Sequence, residues 1–285
     1  MKNWKRQIIS TARGYFEIFV KGKGSPLCVT HLYSEFNESG DYFADSFTET
    51  NTVYLVNLRE TGMSEKAKNS YELSMLETIF DLEAIREQLG EKKWAFAGHS
   101  TGGMLGIVYG IYFSEKLSFS VIVGAAAREY MTFSEDCIYN PAHVNFHRMQ
   151  QLNVTLKNPN LVEEERQTLQ RERVSYSLYE PERYEELFCK PIQKKMSSIR
   201  MDYFNREIQL FDVTKKLKFI INRTLIMCGA HDVQCPLTYS EEMARLIPFS
   251  NLVVFQRSNH YPFLEEEDEF KKQYISFLQK YSFQK

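Results

Sequence analysis

The sequence predicts an α/β protein, a mostly parallel sheet flanked by helices and interrupted by a helical insertion. Three observations carry this. Strand-like apolar runs, turns and helical stretches alternate over residues 1–127 and resume from 214 to 285. Between 128 and 213 the rhythm breaks, and the chain becomes polar, tyrosine-rich and helical in character. Residues 96–102, Phe-Ala-Gly-His-Ser-Thr-Gly, describe a strand that turns sharply into a helix with Ser100 at the apex.

Taken in order, Tyr15–Val20 alternates apolar and polar residues, as an outer antiparallel strand does, and 21–25 is a glycine-rich turn. Pro26–Thr30, Val53–Val56, Lys93–Ala97 and Phe119–Val123 are short runs of strand type. Gly102–Phe113 is apolar nearly throughout, which suits a helix buried under a sheet. The charged runs Glu163–Arg166 and Arg171-Glu172-Arg173 read as solvated helix faces. Thr224–Cys228 and Asn251–Phe255 are strands on either side of a helix, Leu237–Leu246. A last helix, from about Leu264 to Tyr281, opens on Glu265-Glu266-Glu267-Asp268, acids that favour a helix start.

Composition narrows the function. A chain of 285 residues holds one large α/β domain with an insertion. A net charge of −2 gives no electrostatic case for nucleic acid or an acidic membrane. No apolar run approaches the roughly 18 residues that span a bilayer. The basic start at Met1–Arg6 lacks the apolar stretch of a secretory signal. Five cysteines without metal-type spacing suggest reduced thiols in the cytoplasm, with Cys28 and Cys228 in core strands. No metal or organic cofactor is called for, and a homodimer is left open.

Gly98-His99-Ser100-Thr101-Gly102 carries the chemistry. Gly, Ser and Gly at fixed spacing arise by chance in about one chain in ten of this length. The serine alone could merely cap a helix. A serine hydroxyl needs a base within reach, and the base needs an orienting acid. In strand–elbow–helix architectures the order is serine, acid, histidine. Asp232 follows the strand Thr224–Cys228, and His260 follows the strand Asn251–Phe255. Both sit where open α/β sheets place their sites. Of the other histidines, His99 reads as packing that points away from the apex. His231 adjoins the acid, and His143 and His147 belong to the middle region.

These motifs resemble the α/β-hydrolase superfamily over essentially the whole chain. Asn57–Ser64 resembles its Asp-x-Arg-Gly-x-Gly-x-Ser loop, with Asn57 and Glu60 as departures. Leu82–Gly90 resembles the helix before the elbow strand, Gly229–Pro236 the acid loop, and Ser258–Pro262 the histidine loop. The resemblance implies an α/β-hydrolase fold with a helical cap, 128–213, inserted after the sixth strand of a core formed by 1–127 and 214–285. It implies Ser100 as nucleophile, Asp232 as acid and His260 as base. It further implies oxyanion-hole N–H groups from Thr101 and from Tyr33, in the loop after Pro26–Thr30. There Leu32 replaces the family's usual glycine, and His31 reads as a structural residue that bonds the loop.

Asp232–Pro236 and the Arg59 loop are partially similar to proline iminopeptidases, whose elbow and Gly-Pro-rich loop are missing. The elbow Gly-His-Ser-Thr-Gly-Gly is similar to that of small-molecule esterases and related C–C hydrolases. A serine at the apex excludes haloalkane dehalogenase and epoxide hydrolase chemistry, which use aspartate there. The cap would roof the serine. Tyr33, Tyr176 and Tyr179 are candidate substrate contacts, with Tyr184, Phe188 and Met201 as further pocket candidates. The sequence therefore predicts a serine hydrolase for a small, mainly apolar ester or related acyl substrate. Two alternatives stay open: an iminopeptidase-like aminopeptidase, with a cap glutamate on the substrate ammonium, and a non-catalytic ligand sensor on the same fold.

Overall fold

The computed structural model describes residues 4–158 and 160–282. Eight strands form one sheet: β1 (Lys5–Thr11), β2 (Gly14–Gly22), β3 (Ser25–Val29), β4 (Asn51–Val56), β5 (Trp94–His99), β6 (Leu117–Val123), β7 (Arg223–Gly229) and β8 (Ser250–Phe255). Their order is β1-β2-β4-β3-β5-β6-β7-β8. The pairs β1/β2 and β2/β4 are antiparallel, and every other pair is parallel. Tyr15–Val20, expected at the outside, lies one place in. The edge is β1, whose register pairs Lys5 with Val20 and Thr11 with Gly14. Its burial pattern is largely exposed, so it carries little hydrophobic signal.

The central strands read as unbroken apolar runs because helices cover both faces. On one face, α1 (Met75–Gln88) and α2 (Thr101–Phe113) bury Ile79, Leu82, Ile85, Met104 and Leu105 against Phe96 and Ile122. On the other, Phe43, Phe47, Phe263, Phe270 and Tyr274 pack on Leu55, Ala97 and Leu225. α1 starts where the Ser74 hydroxyl accepts from the Glu77 N–H at 3.1 Å.

After β6 the chain leaves the sheet and returns at the same place. The Val213 N–H donates to the Ala127 carbonyl, the Glu129 N–H donates to that of Phe211, both at 2.8 Å, and Arg128 bridges Asp212. The segment between contributes α3 (Phe146–Thr155), α4 (Glu163–Ser175), a short helix at Tyr184–Leu187 and α5 (Ser198–Glu207), and, among its described residues, no strand of the main sheet. Ties that bind it to the core include a short strand pair and a buried arginine. Lys195–Met196 pairs with Ser34–Glu35. Arg200 of α5, 3% exposed, donates to the carbonyls of Leu32, Arg59 (3.2 Å) and Leu73 (3.5 Å) and to the Thr78 hydroxyl (3.0 Å). Burial lowers its pKa to about 10, so it stays charged at neutral pH.

The C-terminal acids do not form one helix start. After α6 (Leu237–Leu246), Pro262–Glu265 is a separate short helix, and α7 runs from Glu267 to Ser282. Glu265 and Glu266 turn inward onto loop N–H groups, so only Glu267, Asp268 and Glu269 face the macrodipole. The two departures in the Arg59 loop are also explained. Glu60 takes the left-handed conformation (φ 62°) that glycine adopts readily. The Asn57 side chain accepts from the Phe36 N–H at 2.8 Å and donates to Glu17 at 2.8 Å.

Candidate active site

β5 ends at His99, α2 begins at Thr101, and Ser100 between them has φ 56° and ψ −124°. Such a backbone costs on the order of 1–3 kcal/mol and persists only where the surroundings enforce it. The Ser100 N–H donates to the Val123 carbonyl at 2.8 Å. A Cβ at Gly98 would lie 2.1 Å from the Gly102 oxygen, and one at Gly102 would lie 2.3 Å from the Thr30 oxygen. Both glycines are therefore steric requirements of the turn. Ser100 and His99 keep accessible surface while Trp94–Gly98 of β5 are buried.

Asp232, 4% exposed, lies in the loop after β7, and His260, 2% exposed, in the loop after β8. His260 Nδ1 donates to Asp232 Oδ2 at 2.8 Å and lies 3.0 Å from Oδ1. Oδ1 also accepts from the N–H groups of Gln234 (2.9 Å) and Cys235 (2.8 Å). Three donors on one buried carboxylate fix its plane. With Nδ1–H given to Asp232, a neutral His260 presents a lone pair at Nε2. The pair sits against Gly124, next to the Val123 carbonyl that holds Ser100. A Cβ at Gly124 would lie 2.9 Å from Asp232 Oδ2. Ser100 Oγ and His260 share no hydrogen bond among the described residues, a contact that often tightens only around substrate.

Thr101 is the first residue of α2, so its N–H has no intrahelical acceptor. The Tyr33 N–H lies 3.5 Å from His31 Nδ1. His31 spans the gap between the two, with Nδ1 2.9 Å from Ser34 Oγ and Nε2 3.1 Å from Thr101 Oγ1. Burial, with Lys194, His260 and Arg200 nearby, pushes its pKa well below the ordinary imidazole value, so the ring is neutral. Leu32 has no positive φ; its side chain is 2% exposed within the core, and its carbonyl takes the Arg200 guanidinium. The loop is thus held by Arg200 and His31 where a glycine was expected. The Tyr33 ring meets His31 edge to face, with centroids 4.6 Å apart.

Tyr179 is 40% exposed, its ring centroid 4.7 Å from that of the exposed His231 and the two rings tilted by 36°. Tyr176 follows the last turn of α4 and is half-buried within the insertion. His99 does not merely pack away from the apex. Its ring is 4.4 Å from that of His260, and its Nε2–H donates to the His260 carbonyl at 2.7 Å. Arg173 is not part of a solvated face but is turned into the molecule, its Nε donating to Asn153 Oδ1 at 3.0 Å.

Two further residues organise the site without any sequence signature. Glu265 accepts from the N–H groups of Tyr179 (2.6 Å), Asn259 (2.9 Å) and Tyr261 (3.1 Å), binding the histidine loop to the insertion. Gln234 takes the Tyr139 hydroxyl at 2.9 Å and donates to Ser177 Oγ at 2.9 Å. Among the described residues no cluster of three or more His, Cys, Asp or Glu is arranged to hold a metal. No described helix is long and apolar enough to cross a membrane.

A serine in a strained turn beside a buried carboxylate–imidazole pair is an arrangement equipped for acyl transfer. A family model described as "alpha/beta hydrolase fold" matches residues 31–267. The solved structure of an alpha/beta fold family hydrolase from Bacillus anthracis str. Sterne is 47% identical, with a TM-score of 0.92, over 95% of this chain and 98% of that one. The pimeloyl-[acyl-carrier protein] methyl ester esterase of Vibrio atlanticus (strain LGP32) is 22% identical over 272 residues, 92% of this chain and 97% of its own. The 2-hydroxymuconate semialdehyde hydrolase of Pseudomonas putida is 23% identical over 263 residues, 90% and 88% of the respective chains. The chain belongs to the alpha/beta hydrolase fold family and is a hydrolase.

Proposed function

We propose that the protein is a serine hydrolase that cleaves a small acyl ester through an acyl-enzyme, with residues 128–213 as a cap over the site. The observation that carries this is the buried His260–Asp232 pair beside the strained Ser100. Ser100 Oγ attacks the ester carbonyl and His260 Nε2 takes its proton. Asp232 holds the tautomer and stabilises the imidazolium. The N–H groups of Thr101 and Tyr33 receive the developing oxyanion. His260 then protonates the leaving alcohol and activates the water that releases the acid.

An ester is favoured over an N-terminal amine substrate by the state of the carboxylates. An ammonium-binding site needs a buried acid without a partner. Glu265 is occupied by three N–H groups, and Glu129 by the N–H groups of Met131 and Thr132 and the Thr132 hydroxyl. The cap acids Glu172, Glu180, Glu185 and Glu186 are paired with arginines. The name of the Vibrio relative, a methyl ester esterase, agrees with this reading. Five unpaired cysteines suit the reducing cytoplasm.

Turnover of short acyl nitrophenyl esters beside a proline arylamide tests the reaction class. Ester turnover lost in Ser100→Ala is expected. Activity on the arylamide alone would overturn the ester reading.

A further inference from the structure

Leu32 and Tyr33 share one peptide unit, and its two polar ends face different partners. The Leu32 carbonyl accepts from Nε of Arg200, in α5 of the insertion. In a planar trans peptide the N–H points the opposite way, so the Tyr33 N–H is directed away from Arg200. It faces the elbow side. His31 Nδ1 lies 3.5 Å from the Tyr33 nitrogen, and Nε2 of the same ring lies 3.1 Å from Thr101 Oγ1. Among the described residues that ring nitrogen is the one acceptor of this N–H, at the long limit of a hydrogen bond. The donor is thus fixed in direction without being consumed.

Arg200 is anchored at its far end on the core. Nη1 donates to the Arg59 carbonyl at 3.2 Å, and Nη2 to the Leu73 carbonyl at 3.5 Å and to the Thr78 hydroxyl of α1 at 3.0 Å. The adjoining peptides are held from the same stretch of the insertion. The Ser197 N–H donates to the Tyr33 carbonyl at 2.8 Å, the Ser197 hydroxyl accepts from the Arg200 N–H at 3.4 Å, and Lys195 and Met196 pair with Glu35 and Ser34. Among the described residues every side-chain partner of Arg200 is an uncharged oxygen. The acids that feel its charge are engaged elsewhere: Asp81 with Arg13 (2.6 Å) and Arg59 (2.7 Å), and Glu207 with the Met75 N–H (3.0 Å). A buried guanidinium without a carboxylate is costly, and an apolar side chain of similar volume packs such a place at least as stably. An apolar side chain cannot supply a cation on the Leu32 oxygen. Positive charge there draws electron density toward that oxygen and makes the N–H of the same peptide a stronger donor.

We infer that Arg200 is a positioning residue for the reaction: it aims and polarises the Leu32–Tyr33 peptide, so that seating the insertion on the core and completing the oxyanion hole are one event. The inference rests on the hydrolase reading above and adds a residue of the insertion to the machinery of that same site. Arg200 touches no reacting atom. As negative charge builds on an oxygen bonded to the Tyr33 N–H, the peptide polarises further and its carbonyl binds the guanidinium more strongly, a gain present only in the transition state.

The test compares kcat/KM for a short acyl nitrophenyl ester with that for its thiono analogue, in which sulfur replaces the carbonyl oxygen and accepts hydrogen bonds poorly. Attack by Ser100 and proton transfer to His260 are common to both substrates, so their ratio reports the oxyanion hole. In Arg200→Met, with folding checked by its melting curve, kcat/KM for the ester is expected to fall by about 10- to 100-fold, and that for the thionoester by less than about threefold. Arg200→Lys keeps the charge without the fork. It is expected to lose about three- to tenfold on the ester alone, and it decides the matter if the methionine variant does not fold. An equal fall on both substrates would make Arg200 a merely structural support and overturn the inference, as would an unchanged ester rate in the folded variants. A wild type that cleaves the two substrates equally well overturns it too, while the hydrolase reading stands. Failure of the wild type to cleave any ester is instead a failure of the hydrolase reading.

Discussion

The Nε2–H of His99 donates to the backbone carbonyl of His260 at 2.7 Å, and the two rings lie 4.4 Å apart. The residue before the nucleophile thereby fixes the loop that carries the base. Replacing His99 by Phe keeps the packing against Phe43 and Phe263 but removes the donor. The expected result is a fall in kcat of about tenfold, the value of roughly one buried hydrogen bond, with KM little changed. A rise in KM alone would assign His99 to substrate contact instead.

Glu265 is predicted to be a stability determinant of the same loop. Burial pushes its carboxyl pKa up, while the N–H groups of Tyr179, Asn259 and Tyr261 pull it down. Glu265→Gln places an amide donor against these donors. Urea unfolding is expected to show a loss of about 2–4 kcal/mol, since the amide keeps one oxygen and its NH2 faces one or two of the three N–H groups. A loss below about 0.5 kcal/mol would remove Glu265 from the account.

Leu32 and Tyr33 separate packing from chemistry in one loop. Leu32→Ala is expected to destabilise by about 2–5 kcal/mol, because the side chain fills the core beneath the loop. Tyr33→Phe keeps the backbone N–H proposed for the oxyanion and removes only the phenol hydroxyl. Its kcat on a neutral ester is expected to fall less than about threefold, well short of the loss from deleting an oxyanion donor. A hundredfold loss would place the phenol itself in the reaction.

The pH dependence follows from the buried histidines. Burial lowers the pKa of both His31 and His99 well below that of an unfolded imidazole. Below about pH 6.5 the unfolded chain takes up protons that the folded one does not. The stability these residues contribute is full above that pH and is lost as pH falls toward their folded values. The melting midpoint is therefore expected to drop between pH 7 and pH 5.5, and to drop less in His99→Gln. An equal slope in the variant would contradict the assignment.

The elbow, the acid and the base were legible because each is a local pattern: glycines around Ser100, and Asp232 and His260 directly after apolar strands. Cap packing is not local. α4 is polar on every side, so nothing in its sequence shows that Arg173 turns inward while Arg171 faces solvent. The run Glu265–Asp268 has the composition of a helix start, yet two of its acids are consumed by the histidine loop. The edge strand β1 was hidden because its exposure leaves little periodicity.

The central claim, that Ser100 is an activated nucleophile, is tested most directly by intact-mass measurement after treatment with a fluorophosphonate. One adduct per chain is expected on wild type, mapped to Ser100, and none on a folded Ser100→Ala variant. No adduct on wild type at a concentration that labels a known esterase, or an adduct that survives the substitution, would contradict it.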